Sequence, residues 1–146
     1  MQTITNLSAE QRYLVKATFP KLAMRCDTIG DLFYSQLYWS DQSLISMFKK
    51  TPKEQGKLLV QMLGRAISCL DDPDALVAVL QELGLRHKGY RVQKRHYKLF
   101  GAALISTLEL VLGGAVFTPD VKEAWTVFYD MISEIATTAA YGGEGS

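Results

Sequence analysis

Both histidines of the chain lie in one short stretch, LGLRHKGYRVQKRHYKLFG, which spans residues 83–101. His87 and His96 are nine residues apart, and nine residues of one continuous helix turn through about 900°, which places the two side chains on opposite faces. Gly89 stands two residues after His87, where a glycine commonly ends a helix. We therefore predict that His87 lies in the last turn of a helix that starts near Pro73, and that His96 begins the next helix.

The position of His87 continues an apolar stripe, because it lies four residues after Leu83 and seven after Leu80. Its imidazole is predicted to face inward, whereas His96 is predicted to lie nearer the surface of a helix whose apolar face includes Phe100. An inward histidine is most often a core residue that makes a hydrogen bond. Zinc is not indicated, because the chain has neither a second histidine in register nor a cysteine pair. A lone imidazole can also be the single axial ligand of a haem, and both interpretations remain open here.

The composition indicates one ordinary globular domain. Of the 146 residues, 48% are hydrophobic and 21% are charged, and the formal net charge is +1. This balance gives no sign of a nucleic-acid partner, and no apolar run approaches the length of a membrane span. Cys26 and Cys69 lack a metal-type spacing and are predicted to be reduced thiols. The polar N-terminus, MQTITNLSAEQ, has no apolar signal-peptide region, so we expect a cytoplasmic location.

Cap residues mark four helix starts. Ser8 and Thr51 each begin a capping box, which Gln11 and Glu54 complete three residues later. Two further cap residues directly precede a proline, the residue preferred at the first helical position: Asp72 and Thr118.

Apolar residues between these marks recur with a helical period in four stripes. The stripes are Leu59, Met62, Leu63, Ala66 and Leu70; Leu76, Val79, Leu80 and Leu83; Phe100, Ala103, Leu104, Thr107, Leu108 and Val111; and Val121, Ala124, Trp125, Phe128, Ile132, Ile135 and Ala139. The region from Ile29 to Tyr38 is a further amphipathic segment. Because no long segment alternates as a strand does, we predict an all-α fold of six to eight helices.

Five segments of the chain resemble the bacterial haemoglobins. VKATFPKL is similar to their first helix, IGDLFYSQLY to the second, MFKKTPKEQGKLLVQML to the turn and distal helix, LGLRHKGYRVQKRHYKLFGAAL to the proximal histidine region, and LGGAVFTPDVKEAWTVFYDMI to the last helix. They occur in that order from about Leu7 to Tyr141, so the chain resembles a single-domain globin of the flavohaemoglobin type and is also similar to neuroglobin. This resemblance implies a globin domain over residues 1–141 around a haem b. The last residues, in YGGEGS, are small and polar, so we expect a flexible tail at 142–146.

The resemblance also implies the roles of individual residues. His87 matches the proximal iron ligand, and Tyr34 and Gln55 match the polar residues that point at the bound gas. Other positions match residues that contact the haem: Phe48, Leu59, Val92, Tyr97 and Leu104. Gly30 and Gly56 match the small residues at which two helices cross closely, where a side chain would push the distal helix away.

Several of these positions have a simpler interpretation when they are taken without the resemblance. Phe48, Leu59 and Tyr34 could be core residues of any helical protein. Gln55 is harder to explain in this way, because it shares a stripe with Leu59 and an inward amide needs a hydrogen-bond partner. A bound O2 molecule or the Tyr34 hydroxyl would supply that partner.

Two functions follow from the resemblance. In the first, Tyr34 and Gln55 donate hydrogen bonds to bound O2, which is negatively polarised, so that O2 binds tightly and is released slowly. The chain would then serve O2 binding, scavenging or sensing, with NO and CO as further ligands. The alternative is a nitric oxide dioxygenase, which would need a separate reductase, so whether the chain is an enzyme stays open. Flavohaemoglobins carry a glutamate late in the last helix that strengthens the proximal histidine. The matching place here is near Ala140, and Glu134 is about a turn and a half too early, which favours binding over catalysis.

Overall fold

The computed structural model describes residues 7–47, 50–89 and 94–141, and within these ranges it is helical with no strand. Six α-helices and one 3-10 turn follow one another: α1 (Ala9–Ala23), α2 (Cys26–Ser40), the 3-10 turn (Gln42–Met47), α3 (Pro52–Ser68), α4 (Pro73–Gly89), α5 (Lys94–Leu112) and α6 (Pro119–Tyr141). The prediction of an all-α fold with six to eight helices is confirmed. The predicted tail, 142–146, lies outside the described residues.

The predicted cap residues do begin helices. The Ser8 hydroxyl accepts from the backbone N–H of Gln11 at 3.0 Å, and the Gln11 side chain accepts from the backbone of Ser8 at 3.0 Å. Thr51 and Glu54 form the same reciprocal pair at 3.2 and 3.0 Å, so α1 and α3 each begin at a complete capping box. The side chains of Asp72 and Thr118 each accept one hydrogen bond of 3.3 Å, from the backbone N–H of Ala75 and of Val121 respectively.

The main core surrounds α6. Trp125 and Phe128 are fully buried there, with their rings edge to face. The indole N–H of Trp125 donates to the Thr18 hydroxyl at 2.8 Å, and that hydroxyl donates in turn to the carbonyl of Leu14 at 2.7 Å. Because this chain of bonds joins α1 to α6 without leaving the indole N–H unpaired, it satisfies a polar group that burial would otherwise destabilise.

A second core cluster lies where the end of α2, the 3-10 turn, the start of α5 and the end of α6 meet. Its buried members are Leu37, Leu44, Tyr97, Phe100, Ala103 and Ala136. Phe33 and Tyr129 are partly buried and pack against both this cluster and the main core. In the second cluster the first half of α5 therefore packs against the end of α6.

The structure also bears on the cysteines and on membrane spans. Cys26 and Cys69 are free, partly buried thiols, as predicted. Over residues 7–47, 50–89 and 94–141, no helix is both long and apolar enough to cross a membrane.

Candidate haem site

Helices α2 and α3 cross at two glycines. A Cβ atom on Gly30 would lie 2.2 Å from the carbonyl oxygen of Pro52 and 3.0 Å from the Cα of Gly56. A Cβ atom on Gly56 would lie 2.4 Å from the carbonyl oxygen of Cys26. Because backbone atoms occupy these places, any larger residue would push the helices apart. The predicted close crossing at Gly30 and Gly56 is confirmed.

The crossing fixes where the two predicted polar ligand contacts lie. Tyr34 is one helical turn after Gly30, and Gln55 directly precedes Gly56; both side chains are partly buried. Burial raises the pKa of the Tyr34 hydroxyl above its ordinary value. The phenol therefore keeps its proton at neutral pH and can donate a hydrogen bond. The contact of either side chain with a bound gas stays a prediction.

The face of α3 that carries Gln55 changes from partly covered to buried along the helix. Leu59, four residues after Gln55, is partly buried and packs against the main core, whereas Leu63 one turn later is 2% exposed. Leu104, a predicted haem contact on α5, is buried within the main core. Phe48 and Val92, the other two predicted apolar contacts, lie outside the described residues.

His87 lies in the last turn of α4, which ends at Gly89 as the sequence predicted. Its side chain is outside the described part of the structure, so its role as the iron ligand stays a prediction. One turn earlier, a Cβ atom on Gly84 would lie 2.1 Å from the carbonyl oxygen of Ala136. The backbone of α4 therefore contacts the backbone of α6 directly, three residues before His87.

The prediction that His96 lies nearer the surface is wrong, because its side chain is 0% exposed. His96 lies four residues before Phe100 and seven before Ala103, so it belongs to the buried stripe of α5 and not to the opposite face. Its ring centroid is 6.3 Å from that of Phe100. Burial, and then the charge of Arg95, lower the pKa of His96 against a smaller opposing effect of Asp41, so the imidazole is neutral at neutral pH.

Tyr97, predicted to contact the haem on the proximal side, is 5% exposed and belongs to the second core cluster. Its backbone carbonyl accepts a hydrogen bond of 2.7 Å from the hydroxyl of Tyr129 on α6. The sequence reasoning did not single out Tyr129. Its position one turn after Trp125, beside the apolar stripe of α6, was the one feature of the sequence that could have indicated burial of this tyrosine.

These residues fit a haem. One histidine is placed at the end of α4, and two polar donors are placed at the α2–α3 crossing. Four apolar side chains, one on each of α2 to α5, are partly buried and pack against the core clusters: Phe33, Leu59, Leu83 and Leu99. An imidazole, an amide and a phenol are together a donor set suited to iron and a small polar ligand. This fold and this set of residues are those expected of a helical haem protein.

Comparison with known proteins names the family. Residues 41–136 match the family model described as Globin, which is more than half of the chain. The chain therefore belongs to the globin family, and this membership implies haem binding and the binding of gases such as O2.

The curated relatives are longer proteins. A flavohemoprotein of Halalkalibacterium halodurans is 30% identical over 138 residues, which cover 92% of this chain and 33% of that protein. A flavohemoprotein of Bacillus subtilis is 27% identical over 124 residues, which cover 83% of this chain and 31% of that protein. The chain thus spans about a third of the length of the curated relatives that it matches.

Solved structures share the fold over nearly their whole length. An engineered carbene transferase from Rhodothermus marinus, also described as a candidate nitric oxide dioxygenase, matches with a TM-score of 0.81 and 27% identity, covering 95% of this chain and 96% of that one. A bacterial globin from Campylobacter jejuni matches with a TM-score of 0.81 and 20% identity, covering 95% of this chain and 100% of that one. At that identity the second likeness concerns the fold alone.

Proposed function

We propose that this chain binds O2 tightly, and NO and CO as well, at a haem b that His87 holds, and that it serves O2 binding, scavenging or sensing. The observation that supports this most is the close crossing at Gly30 and Gly56. It holds the partly buried Tyr34 and Gln55 on adjoining helices, one turn from the crossing and next to it.

A bound haem supplies an iron atom that takes up diatomic gases, and the residues of the chain determine how it is held and what surrounds it. The His87 imidazole would donate an electron pair from the last turn of α4. Leu59 would exclude water on the opposite side, because it lies on the same face of α3 as Gln55. Tyr97, buried in the second core cluster, would contact the proximal side.

Tyr34 and Gln55 would set the selectivity among gases. Each can donate a hydrogen bond, and a bond to a charged or strongly polarised acceptor contributes about 1.5–3 kcal/mol. That free energy corresponds to about one to two powers of ten in affinity. A ligand that carries more negative charge when bound gains more from these donors, so the pair would favour O2 over CO. Such a site would release O2 slowly, which suits scavenging or sensing more than delivery.

Nitric oxide dioxygenation with electrons from a separate reductase is the alternative. It is favoured by the likeness to the Rhodothermus marinus protein and by the flavohemoprotein relatives. The sequence of the last helix argues against it, because the place where flavohaemoglobins have the glutamate that strengthens the proximal histidine falls near Ala140, and no carboxylate stands there. Glu134, the nearest preceding carboxylate, is exposed on α6, so we propose binding as the first function.

Absorption spectra of the purified protein in the ferric, reduced and CO-bound states test the haem site. A protein that takes up no haem would overturn the proposal. Consumption of nitric oxide over many equivalents, with NADH and with or without cell extract, separates the two functions. We expect a single equivalent to be consumed with NADH alone, whereas repeated turnover under that condition would favour the enzyme.

A further inference from the structure

The outer surfaces of α5 and α6 form an open groove of about 240 Å³. Four residues of α5 and three of α6 line it: Lys98, Gly101, Ala102, Ile105, Thr126, Tyr129 and Asp130. At the floor of the groove the Tyr129 ring packs on the buried Gly101, where a Cβ atom would lie 2.7 Å from Cε2 of the ring. The two helices therefore lie close together and present a joint face to solvent, which we call the α5–α6 face.

The two helices run antiparallel along this face. Only the short segment 113–118 joins them, and short connections link antiparallel neighbours. The contacts agree, because Tyr129 in the middle of α6 meets Tyr97 and Gly101 near the start of α5. Glu109 lies three residues before the end of α5, and Lys122 lies three residues after the start of α6. These two charges therefore lie at the same end of the face.

Four side chains of α5 form one outward stripe with a definite order. Lys98, Ala102, Ile105 and Glu109 follow one another at spacings of four, three and four residues, which is the period of one helix face. Ile105 is half-buried and the other three side chains are exposed. Lys98 and Glu109 are separated by about three full turns, so both point in nearly the same direction. The stripe thus runs from a cation through a small and a larger apolar residue to an anion.

This order is complementary to its own reverse. Two copies of α5 can lie antiparallel about a two-fold axis that passes between Ala102 and Ile105. Lys98 then faces Glu109 of the second copy, and Ala102 faces Ile105 of the second copy. The axis repeats each contact, so the pairing contains two cation–anion pairs and two places where a small side chain meets a large one, as closely packed helices require.

The charges on α6 have the opposite order. Asp130 lies at the Lys98 end of the face and Lys122 at the Glu109 end, and both are exposed. About the same axis, Asp130 faces Lys122 of the second copy. Glu123 points about 100° away from Lys122 around α6 and lies at the edge of the face. Among the residues that the structure describes, none forms an ion pair with Lys98, Glu109, Lys122 or Asp130.

We propose that the α5–α6 face binds a second copy of the chain, with the two α5 helices antiparallel across a two-fold axis. The stripe from Lys98 to Glu109 is about 17 Å long and two adjacent helices are about 20 Å wide, so the contact area is on the order of 350 Å² per partner. A standard interface buries about 800 Å² per partner. The dimer is therefore weak, and it depends on its charge pairs and so on ionic strength. The pairing goes beyond the proposed function and does not depend on the haem.

Sedimentation equilibrium of the purified protein, over a wide range of concentration at low and high salt, is the direct test. We expect a monomer–dimer equilibrium whose dissociation constant rises with salt. A wild-type chain that stays monomeric at every concentration would overturn the proposal. Species larger than a dimer would also overturn it, because a two-fold contact closes on itself and leaves no second copy of the face free.

Charge variants test the pairing itself. Lys98→Glu turns two attractions into two repulsions and should weaken the dimer by about tenfold or more. Adding Glu109→Lys to that variant exchanges the charges and should restore the dimer, whereas adding Asp130→Lys should not. Lys57→Glu is the matched control, because it changes an exposed lysine of α3 and alters the net charge equally. All these side chains are exposed, so the melting temperatures, followed by circular dichroism, should stay close to that of the wild type.

A mixture of two variant chains gives the sharpest outcome. Lys98→Glu and Glu109→Lys should each dimerise poorly alone, but together they should form a heterodimer, because each chain meets opposite charges on the other. Equal weakening by Lys98→Glu and Lys57→Glu would overturn the proposal, as would the absence of a heterodimer. Restoration by Asp130→Lys in place of Glu109→Lys would mean that α5 lies against α6 of the second copy, and would overturn the antiparallel α5 pairing.

Discussion

Replacing Tyr34 by phenylalanine tests the central feature of the proposed site. The substitution removes one hydroxyl from α2 and keeps the aromatic ring. The α2–α3 crossing lies one turn earlier, at Gly30 and Gly56, and does not involve the Tyr34 ring hydroxyl. We therefore expect the variant to fold and to bind haem as the wild type does.

The expected magnitude follows from the burial of this side chain. A hydrogen bond to a strongly polarised acceptor contributes about 1.5–3 kcal/mol, and each 1.4 kcal/mol is about a factor of ten. Because Tyr34 is partly and not fully buried, water weakens part of this contribution, so we expect O2 dissociation to become about tenfold faster. The raised pKa of Tyr34 keeps the phenol protonated at and above neutral pH, and the effect should not vary with pH in that range.

Stopped-flow measurement of O2 and CO dissociation is the appropriate assay. Bound CO carries less negative charge than bound O2, so its dissociation should change little in the same variant. Tyr38→Phe is the matched control, because Tyr38 lies one turn later on α2 and its side chain is 47% exposed. Equal acceleration for both gases would mean that the substitution acts through the shape of the pocket, and the hydrogen-bond account would then be refuted.

Four further predictions concern the two histidines, the helix crossing, the haem and Asp41. His87→Gly should lose haem or need added imidazole to retain it, whereas His96→Ala should keep the haem spectrum but lower the melting temperature, because His96 is 0% exposed; loss of the spectrum in the His96 variant alone would contradict this. Gly56→Ala should destabilise the fold by about 1–3 kcal/mol or more in denaturant titration, as overpacking does, since its Cβ would lie 2.4 Å from the carbonyl oxygen of Cys26. Removing haem should lower the melting temperature, because a ligand at 100 times its Kd adds about 2.7 kcal/mol to the folded state, and equal midpoints would refute the pocket. Hydrogen bonds from Ser43 and then Arg95 lower the pKa of Asp41 from 3.8 to about 2, so this carboxylate stabilises the fold above pH 4 and the contribution is lost as the pH falls toward 2; Asp41→Asn should remove that part of the acid dependence of unfolding.

Local signals in the sequence predicted the starts of α1, α3, α4 and α6 and the end of α4. Thr51 and Glu54 specify the start of α3 because both capping partners lie within four residues of each other, and Gly89 ends α4 for an equally local reason. The crossing of α2 and α3 was available only through the resemblance, since nothing near Gly30 shows that Gly56 will lie against it.

The wrong prediction for His96 and the omission of Tyr129 have one cause: in both cases a contact with another helix, and not a local pattern, determines the surroundings of the side chain. His96 was placed at the surface because it opens a helix, although its spacing from Phe100 already put it on the buried stripe. The error lay in expecting the first turn of α5 to be exposed, whereas the second core cluster covers it. Tyr129 was missed because its partner is a backbone carbonyl on another helix. No pattern within α6 indicates that its ring will pack against Gly101 of α5.

Helix α6 carries none of the residues predicted to touch a haem or a gas, yet it contacts the helices that do. Trp125 binds it to α1, Tyr129 to the start of α5, and Ala136 to α4 beside Gly84. A core packed this closely transmits a displacement and does not absorb it. Substitutions on the inner face of α6 should therefore change how the chain holds its ligand without any contact to it. Substitutions near Tyr129 and Ala136 should do so more than those near Trp125, because Tyr129 contacts the start of α5 and Ala136 contacts the end of α4, the two helix ends on either side of His87.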